Sequence, residues 1–291
     1  MINIRECRKK EFEKTAVVAC QGVKGAFSQI AANALFENPD IMYIRTFDGV
    51  FRAVDTGLCQ YGILPIENSN AGSVTEVYDL MKTYHFYIVR SVKVSISHML
   101  LSKMKINTEN IKEIYTHEQA AKQCSRFLEQ NSHIKINICA NTAAAAKFVA
   151  ESSRTDIAAI ASESCAELYH LSVSARNIQN NNNNYTRFIC ISKECEIYDH
   201  ADKVSLILTL ENKAGALYEV IRKFAELQIN LIKLESRPIV DTDFEFMFYF
   251  DVQASIEDGN VYDLLIRLSE STQYFMFLGN YREVKYAITA K

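Results

Sequence analysis

Four short polar segments hold most of the side chains that could do chemistry in this 291-residue chain. Each lies next to an apolar, strand-like stretch, and together they supply hydroxyls, amides, one guanidinium and backbone N–H groups at helix starts. They are residues 21–28, 67–73, 116–119 and 184–187. Loops at strand ends are common places for binding and catalytic groups in α/β proteins. This set of groups predicts a site for a small organic ligand with more than one negative charge.

The same segments argue against several reaction classes. No Ser or Cys has an evident His and Asp partner, so the pattern does not indicate nucleophilic acyl transfer. Gly22 and Gly25 could bring backbone N–H groups to an anion, but their spacing is not the G-x-G-x-x-G of a dinucleotide site. His117 is the one candidate general acid or base, although a His beside a helix start is more often structural. Taken singly, each segment is more typical of turns and helix caps.

One segment, residues 177–191, combines a turn with reactive groups. Its five asparagines, Asn180 to Asn184, disfavour a helix because their side chains compete for backbone hydrogen bonds. A hydroxyl and a cation follow at Thr186 and Arg187, and an apolar strand is expected to begin at Phe188. From composition alone, a low-complexity surface loop is the simpler interpretation.

The elements that must position these segments fall into two domains. Up to about residue 190, strands alternate with helices of about ten residues, an order typical of βαβ units. The set occurs twice, so we expect two α/β lobes with a cleft between them over residues 15–193. After a polar linker at 193–203, residues 203–285 have the β-α-β-β-α-β order of the ferredoxin-like unit. Its last strand is expected in two parts, 275–278 and 284–288.

The composition is ordinary for a soluble globular protein, with 48% hydrophobic and 23% charged residues and a net charge of -3. This charge gives no case for binding nucleic acid or an anionic membrane. No apolar run approaches the roughly 18 residues of a membrane span. Eight cysteines without a C-x-x-C pair, and no signal peptide, predict a cytoplasmic protein without disulfides or zinc. The six histidines lack the spacing of metal ligands, so no metal is expected.

Several motifs in a fixed order resemble those of the prephenate dehydratases, enzymes of phenylalanine biosynthesis with a C-terminal ACT regulatory domain. The similarity covers roughly residues 17–281. The motifs are Thr186-Arg187-Phe188, Pro65-Ile66-Glu67-Asn68-Ser69 with Gly72-Ser73, Gly22-x-x-Gly25-Ala26-Phe27-Ser28, Gly215-Ala216-Leu217 and Glu235-Ser236-Arg237-Pro238. Agreement of this many motifs in order is not expected by chance. The resemblance implies an α/β fold, with a bilobed catalytic domain like that of periplasmic binding proteins and a ferredoxin-like βαββαβ ACT domain.

The resemblance also implies a reaction, in which prephenate loses carbon dioxide and its ring hydroxyl to give phenylpyruvate. Aromatisation drives the step, so neither a cofactor nor a metal is needed. Thr186 would act on the departing hydroxyl as a positioned donor in a dry site, since a threonine is too weak an acid to ionise at neutral pH. Arg187 would orient the site or bind a carboxylate, and Phe188 would pack beneath it. The implied substrate-binding residues are Arg187, Asn68, Ser73, Gln119, Ser28, Gly22, Gly25 and Phe188.

For the ACT domain, the resemblance implies feedback inhibition by phenylalanine, bound where two subunits pair in a dimer or tetramer. A glycine would let the backbone approach the amino acid, and a polar segment would reach its charged ends. The implied effector-binding residues are Gly215, Ala216, Leu217, Asn230, Leu231, Glu235, Ser236, Arg237 and Pro238.

The chain departs from the family pattern at a few positions. Glu118 stands where Pro is usual, Asn180 where Asp is usual, and Ala214 where Pro precedes the effector-turn glycine. Val23 replaces the usual Pro, a form also seen in arogenate dehydratases, so prephenate and arogenate both stay candidate substrates. A non-enzymatic amino-acid sensor is the other alternative; the Thr186 hydroxyl, which a pure binder does not need, favours an enzyme. Residues 1–14 are too short for a chorismate mutase domain, so no mutase activity is expected.

Overall fold

The computed structural model describes residues 4–9, 11–181, 183–239 and 246–286, and a first lobe opens the chain. After a 3-10 helix at Ile4–Cys7 its elements are β1 (Arg8–Lys9), β2 (Val17–Gln21), α1 (Phe27–Leu35), β3 (Asp40–Ile44), α2 (Phe47–Asp55), β4 (Tyr61–Asn68), β5 (Gly72–Ser73), α3 (Thr75–Tyr84) and β6 (Tyr87–Ser95). Helix α2 begins where the Thr46 hydroxyl accepts a hydrogen bond from Gly49 N at 3.1 Å. Its apolar side, including Val50 and Phe51, is buried against the sheet. The alternation of strands and helices agrees with the predicted βαβ order.

A second lobe follows, built around its own sheet. Its elements are β7 (Met99–Ser102), β8 (Glu113–Thr116), α4 (Glu118–Gln123), α5 (Ser125–Gln130), β9 (Lys135–Ile138), α6 (Thr142–Glu151), β10 (Ile157–Ala161), α7 (Glu163–Tyr169) and β11 (Ser172–Ala175), with a 3-10 turn at Thr108–Asn110. The sheet order is β11-β7-β10-β8-β9. Asn141 caps α6, since its side chain accepts from Ala144 N at 2.7 Å. The two predicted lobes are therefore present.

The chain then returns to the first lobe as β12 (Tyr185–Ser192), which lies antiparallel between β4 and β6. Two segments cross between the lobes, one with Ile96 and His98 and the other with Ile178 and Asn184. They are hydrogen-bonded to each other, since Ile178 N donates to His98 O at 3.1 Å and Ile96 N donates to Asn184 O at 2.7 Å. Strand β12 begins three residues before the expected Phe188. The two residues before Phe188 are therefore strand residues whose side chains point to opposite faces of the sheet.

The C-terminal domain has the predicted β-α-β-β-α-β order. Its elements are β14 (Lys203–Thr209), α8 (Ala216–Glu226), β15 (Asn230–Pro238), β16 (Phe246–Gln253), α9 (Gly259–Ser271) and β17 (Tyr274–Lys285). The final strand is continuous where two parts were expected, and the expected end at Ile288 lies outside the described residues. The expected linker contains a short strand, β13 (Ile197–Tyr198), which pairs in parallel with β1.

Both domains share one sheet, which the sequence did not predict. Strand β17 pairs in parallel with β6, giving the order β15-β16-β14-β17-β6-β12-β4-β2-β3, with β5 on β4. Helices α8 and α9 cover one face of the C-terminal part, and the other face packs on α3, where the rings of Tyr78 and Tyr249 are 4.5 Å apart. Gly279 permits the close approach of β17 to β6, because a Cβ there would lie 2.2 Å from the Ile88 carbonyl oxygen.

Candidate active site

The cleft between the two lobes encloses a cavity of about 580 Å³, a size typical of small-molecule sites. All four polar segments predicted from the sequence contribute to its wall or floor. The predicted residues that line it are Ser28, Asn68, Ser73, Gln119, Thr186 and Phe188. Phe188 is 4% exposed and packs in the core beneath the cavity, as expected. Gly22, Gly25 and Arg187 do not line this cavity.

A hydrogen bond joins Thr186 to Asn68, which are paired residues on β12 and β4. The Asn68 Nδ2 amide donates to Thr186 Oγ1 at 2.9 Å. The orientation of that amide is set by its oxygen, because Asn68 Oδ1 accepts from the backbone N–H groups of Asn70 at 3.0 Å and Ala71 at 2.9 Å. Thr186 Oγ1 is therefore an acceptor toward Asn68, and its own hydrogen is available to donate toward the cleft.

Asn184 extends this arrangement and was not among the predicted site residues. Its Oδ1 accepts from Asn68 Nδ2 at 2.8 Å, and the residue is fully buried. Its Nδ2 has no hydrogen-bond partner among the residues that the structure describes. It borders a second cavity of about 210 Å³, which Gln119 and Gln123 also line. The asparagine run thus supplies an inward-facing amide, as well as the turn inferred from its composition.

Arg187 points away from the cleft, because neighbours in a strand alternate between faces. It is 3% exposed; its Nε lies 2.8 Å from Glu67 Oε1, and its Nη2 donates to Asp251 of β16. Burial acts to lower the pKa of Arg187, but the attraction of Asp251, together with that of Tyr281 and Glu67, outweighs it and the pKa is raised. Burial would likewise raise the pKa of Asp251, but the Arg187 guanidinium, the Ser205 hydroxyl and the Lys233 ammonium together lower it overall. Of the two roles expected for Arg187, this placement fits orienting the site and not contact with a carboxylate in the cleft.

The glycine loop at residues 22–28 differs from the expected anion cradle. Gly22 N donates to Ile44 O, and Gly25 N donates to Gln29 Oε1, both at 2.7 Å. Neither amide is available to a ligand, because each hydrogen already has an acceptor. The Ser28 hydroxyl borders the cavity but donates to Gln21 O at 2.6 Å, so it faces a ligand as an acceptor.

Two histidines line the cavity, and the sequence indicated only one. His117 accepts from Gln119 N through Nδ1 at 3.2 Å and so begins α4, the structural role considered for it. His98 is 2% exposed, its Nε2 is 2.8 Å from Gln123 Oε1, and burial lowers its pKa. The sequence could have indicated His98 as a site residue, because it lies on a segment that crosses between the lobes and such segments border the cleft.

The predicted effector residues lie at the start of α8 and along β15. Gly215 has a φ of +84° and precedes α8, which begins with Ala216 and Leu217. The others, all on β15, are Asn230, Leu231, Glu235, Ser236, Arg237 and Pro238.

The side chains along β15 alternate between two faces. Asn230, Ser236 and Pro238 are exposed, whereas Glu235 and Arg237 turn toward the first lobe. Glu235 bonds to Ser73, and Arg237 Nη2 donates to Asp79 Oδ2 at 3.0 Å. These two charged groups therefore have partners within the chain, and their expected contact with the charged ends of an amino acid stays a prediction.

Within the described residues, no group of three or more His, Cys, Asp or Glu side chains is arranged to hold a metal ion. Among the helices formed by these residues, none is both long and apolar enough to cross a membrane.

Comparison with known families and proteins gives consistent matches. A family model described as prephenate dehydratase matches residues 18–196, and one described as ACT domain matches residues 204–270. Arogenate dehydratase/prephenate dehydratase 2 of Arabidopsis thaliana is 35% identical over 275 residues, covering 91% of this chain and 72% of that protein. The bifunctional chorismate mutase/prephenate dehydratase of Escherichia coli K12 is 33% identical over 273 residues, covering 92% and 71%.

Two solved structures are similar over nearly the whole chain. Prephenate dehydratase from Arthrobacter aurescens in complex with L-Phe has a TM-score of 0.80 and 28% identity, covering 91% of this chain and 90% of that one. GqqA, described as a novel type of quorum-quenching acylase, has a TM-score of 0.82 and 26% identity, covering 92% and 98%.

Proposed function

This chain belongs to the prephenate dehydratase family, and we propose that it converts prephenate into phenylpyruvate in the cleft between its two lobes. The observation that carries the proposal is the bond from Asn68 Nδ2 to Thr186 Oγ1. It directs the threonine hydrogen toward the cleft, where a leaving hydroxyl needs a donor. An amino-acid sensor has no need for a hydroxyl fixed in this way.

The reaction is a coupled elimination. The bond between the ring and its carboxylate breaks and releases carbon dioxide, and its electron pair enters the ring. The C–O bond on the opposite ring carbon breaks, and the hydroxyl leaves as water after gaining one proton, which the solvent supplies. Thr186 donates a hydrogen bond to that oxygen as negative charge develops on it, and a pre-set donor is most effective there. Aromatisation supplies the driving force.

The test is an assay of purified protein with prephenate, in which phenylpyruvate is measured. We expect turnover by the wild type, loss of about 10² to 10³ in kcat for Thr186→Ala, and partial retention for Thr186→Ser, which keeps the hydroxyl. Absence of turnover would refute the function. Full turnover by Thr186→Ala would refute the role of the hydroxyl.

Parallel assays discriminate the alternatives. Arogenate has an amine where prephenate has a keto group, so its product, phenylalanine, is measured instead of phenylpyruvate, and the larger kcat/KM identifies the preferred substrate. Hydrolysis of an N-acyl amide tests the acylase activity for which GqqA is named. We expect none, because the cleft hydroxyls of Ser28, Ser73 and Thr186 do not bond to an imidazole. Binding of phenylalanine without turnover of any substrate would favour the sensor.

We further propose that phenylalanine inhibits the enzyme from a site formed by paired ACT domains, with the chain in a dimer or tetramer. Strand β15 is at the edge of the sheet, and Ile232 and Leu234 on it are 41% and 38% exposed. An exposed apolar edge strand is suited to pairing with another chain. Light scattering tests the assembly, and Ser236→Ala or Gly215→Val should weaken the inhibition. Equal inhibition in these variants would locate the effector site elsewhere. A cytoplasmic location belongs to this proposal, and the cysteine content supports it.

A further inference from the structure

The strand pair that carries Thr186 and Asn68 has a second face, which is turned toward the ACT domain. Arg187, which follows Thr186, and Glu67, which precedes Asn68, are also paired with each other. Because side chains alternate along a strand, the first pair faces the cleft and the second faces the ACT sheet. Any force on the second pair therefore acts on the backbone that holds the first.

Arg187 is held from the ACT side by a carboxylate that is itself fixed. Asp251 lies on β16, is 7% exposed, and accepts from the Ser205 hydroxyl at 2.6 Å through its other oxygen. The Ser205 hydroxyl is in turn 2.8 Å from the phenol oxygen of Tyr281. A buried guanidinium is costly without counter-charges, and of the two carboxylates that face Arg187, those of Glu67 and Asp251, the second ties it to the ACT domain.

Glu67 has a second anchor on the ACT side. Lys233 of β15 donates to Glu67 Oε2 at 2.8 Å and to the Ser73 hydroxyl at 2.7 Å, and its ammonium lies 4.9 Å from the centre of the Tyr78 ring. Glu235, also on β15, bonds to the same hydroxyl. The backbone ladder is irregular close by, because the register of β12 against β4 shifts between residues 187 and 188. The register of β12 against β6 is regular at the same residues, so the side-chain contacts act mainly on the position of β12 relative to β4.

We propose that Asp251 and Lys233 of the ACT domain are positioning residues for the Thr186–Asn68 pair. They fix both strands from the face opposite to the cleft, so the ACT domain is part of the support of the active site. A movement of the ACT sheet would be transmitted to the reacting hydroxyl through the Arg187 guanidinium. This inference rests on the proposed function for its effect on turnover, but not for its effect on the strands.

The test compares Asp251→Asn with Asp79→Asn. The first removes the charge that faces Arg187 and keeps the side-chain shape. The second removes a different ion pair across the same interface, that of Asp79 with Arg237, and serves as the matched control. We expect Asp251→Asn to lower kcat about 10- to 100-fold, since small misplacement of a catalytic group has effects of this size. KM should stay within about twofold, and Asp79→Asn should leave kcat unchanged.

The second readout needs no substrate. Amide hydrogen exchange by mass spectrometry should be faster at residues 185–188 in Asp251→Asn than in the wild type, and unaltered there in Asp79→Asn. Unchanged exchange at 185–188, a change confined to KM, or an equal fall of kcat in both variants would overturn the inference. An inactive wild type would refute the proposed function, and exchange alone would then decide this inference.

A variant with the buried pair intact covers the case in which Asp251→Asn does not fold. Lys233→Met keeps Arg187 paired with Asp251 and removes the second anchor on Glu67. It should fold, lower kcat and raise exchange at residues 66–68. Wild-type kcat and exchange in a folded Lys233→Met protein would contradict the proposal.

Discussion

Replacing Asn68 by Asp tests the proposed geometry most directly, because it changes a donor into an acceptor with almost no change in shape. In the variant, both bonds from the backbone N–H groups of Asn70 and Ala71 can remain. The group 2.9 Å from Thr186 Oγ1 becomes a carboxylate oxygen. The threonine hydroxyl then donates to this carboxylate, because charge-assisted bonds are roughly twice as strong as neutral ones. The hydrogen of the threonine hydroxyl is then no longer available to the leaving group.

The expected size of the effect follows from that loss. Removal of one pre-set donor at a developing negative charge lowers kcat by about 10² to 10³, or roughly 2.7–4 kcal/mol. The deficit should shrink as pH falls, since the introduced carboxyl group, once protonated, can again donate to Thr186. Steady-state kinetics with prephenate from pH 8 to pH 5, expressed relative to the wild type at each pH, measures both effects.

A matched control separates the donor from the charge. Asn70→Asp adds the same charge two residues away, on an exposed side chain. It can raise KM by repelling an anionic substrate, but kcat should remain within about twofold of the wild type. The reasoning is refuted if Asn68→Asp keeps wild-type kcat at every pH, or if both variants lose the same amount.

Three further predictions address stability and the cleft. Gly279→Ala should lower the free energy of unfolding by about 1–3 kcal/mol, because its Cβ meets a backbone oxygen of β6; thermal melting measures this. The pKa of His98 is lowered by burial, so the stability that depends on its neutral form is complete above the ordinary histidine pKa of about 6.5 and is lost as pH falls toward the folded-state pKa. Melting temperatures should therefore fall less from pH 7 to pH 5 in His98→Gln than in the wild type. Asn184→Ala removes an acceptor of the Asn68 amide and should lower kcat about three- to tenfold, and an unchanged kcat would show that this amide does not depend on Asn184.

The sequence predicted the segments of the site better than the direction of individual side chains. Thr186 and Asn68 were both expected at the cleft, because polar residues beside apolar strands indicate a strand-end site. Arg187 was expected beside them, since Thr186-Arg187 was interpreted as the end of a loop. The strand in fact begins at Tyr185, and two-residue periodicity then places Arg187 on the opposite face. An error of three residues in a strand boundary was enough to reverse the direction of one side chain.

Other differences depend on distant parts of the chain. The amide hydrogens of Gly22 and Gly25 are used by Ile44 O and by the Gln29 side chain, acceptors that glycine spacing cannot reveal. The sequence does not indicate a role for Asp251, because no neighbouring residue in its apolar strand is a partner for a carboxylate. Its partner is 64 residues away in the sequence, in the other domain.

The shared sheet explains why a charged network can lie between the two domains. A buried ion pair contributes little net stability, because desolvation offsets most of the attraction, but its loss leaves an uncompensated charge and is costly. Pairing of β17 with β6, and the apolar packing of the ACT sheet on α3, can hold the domains together without it. The ion pair of Arg187 with Asp251 is therefore not needed to hold the domains together. Its role is to fix the position of β12, the strand that carries Thr186. This division of roles is the reason to expect Asp251→Asn to change kcat and strand exchange more than it changes assembly of the two domains.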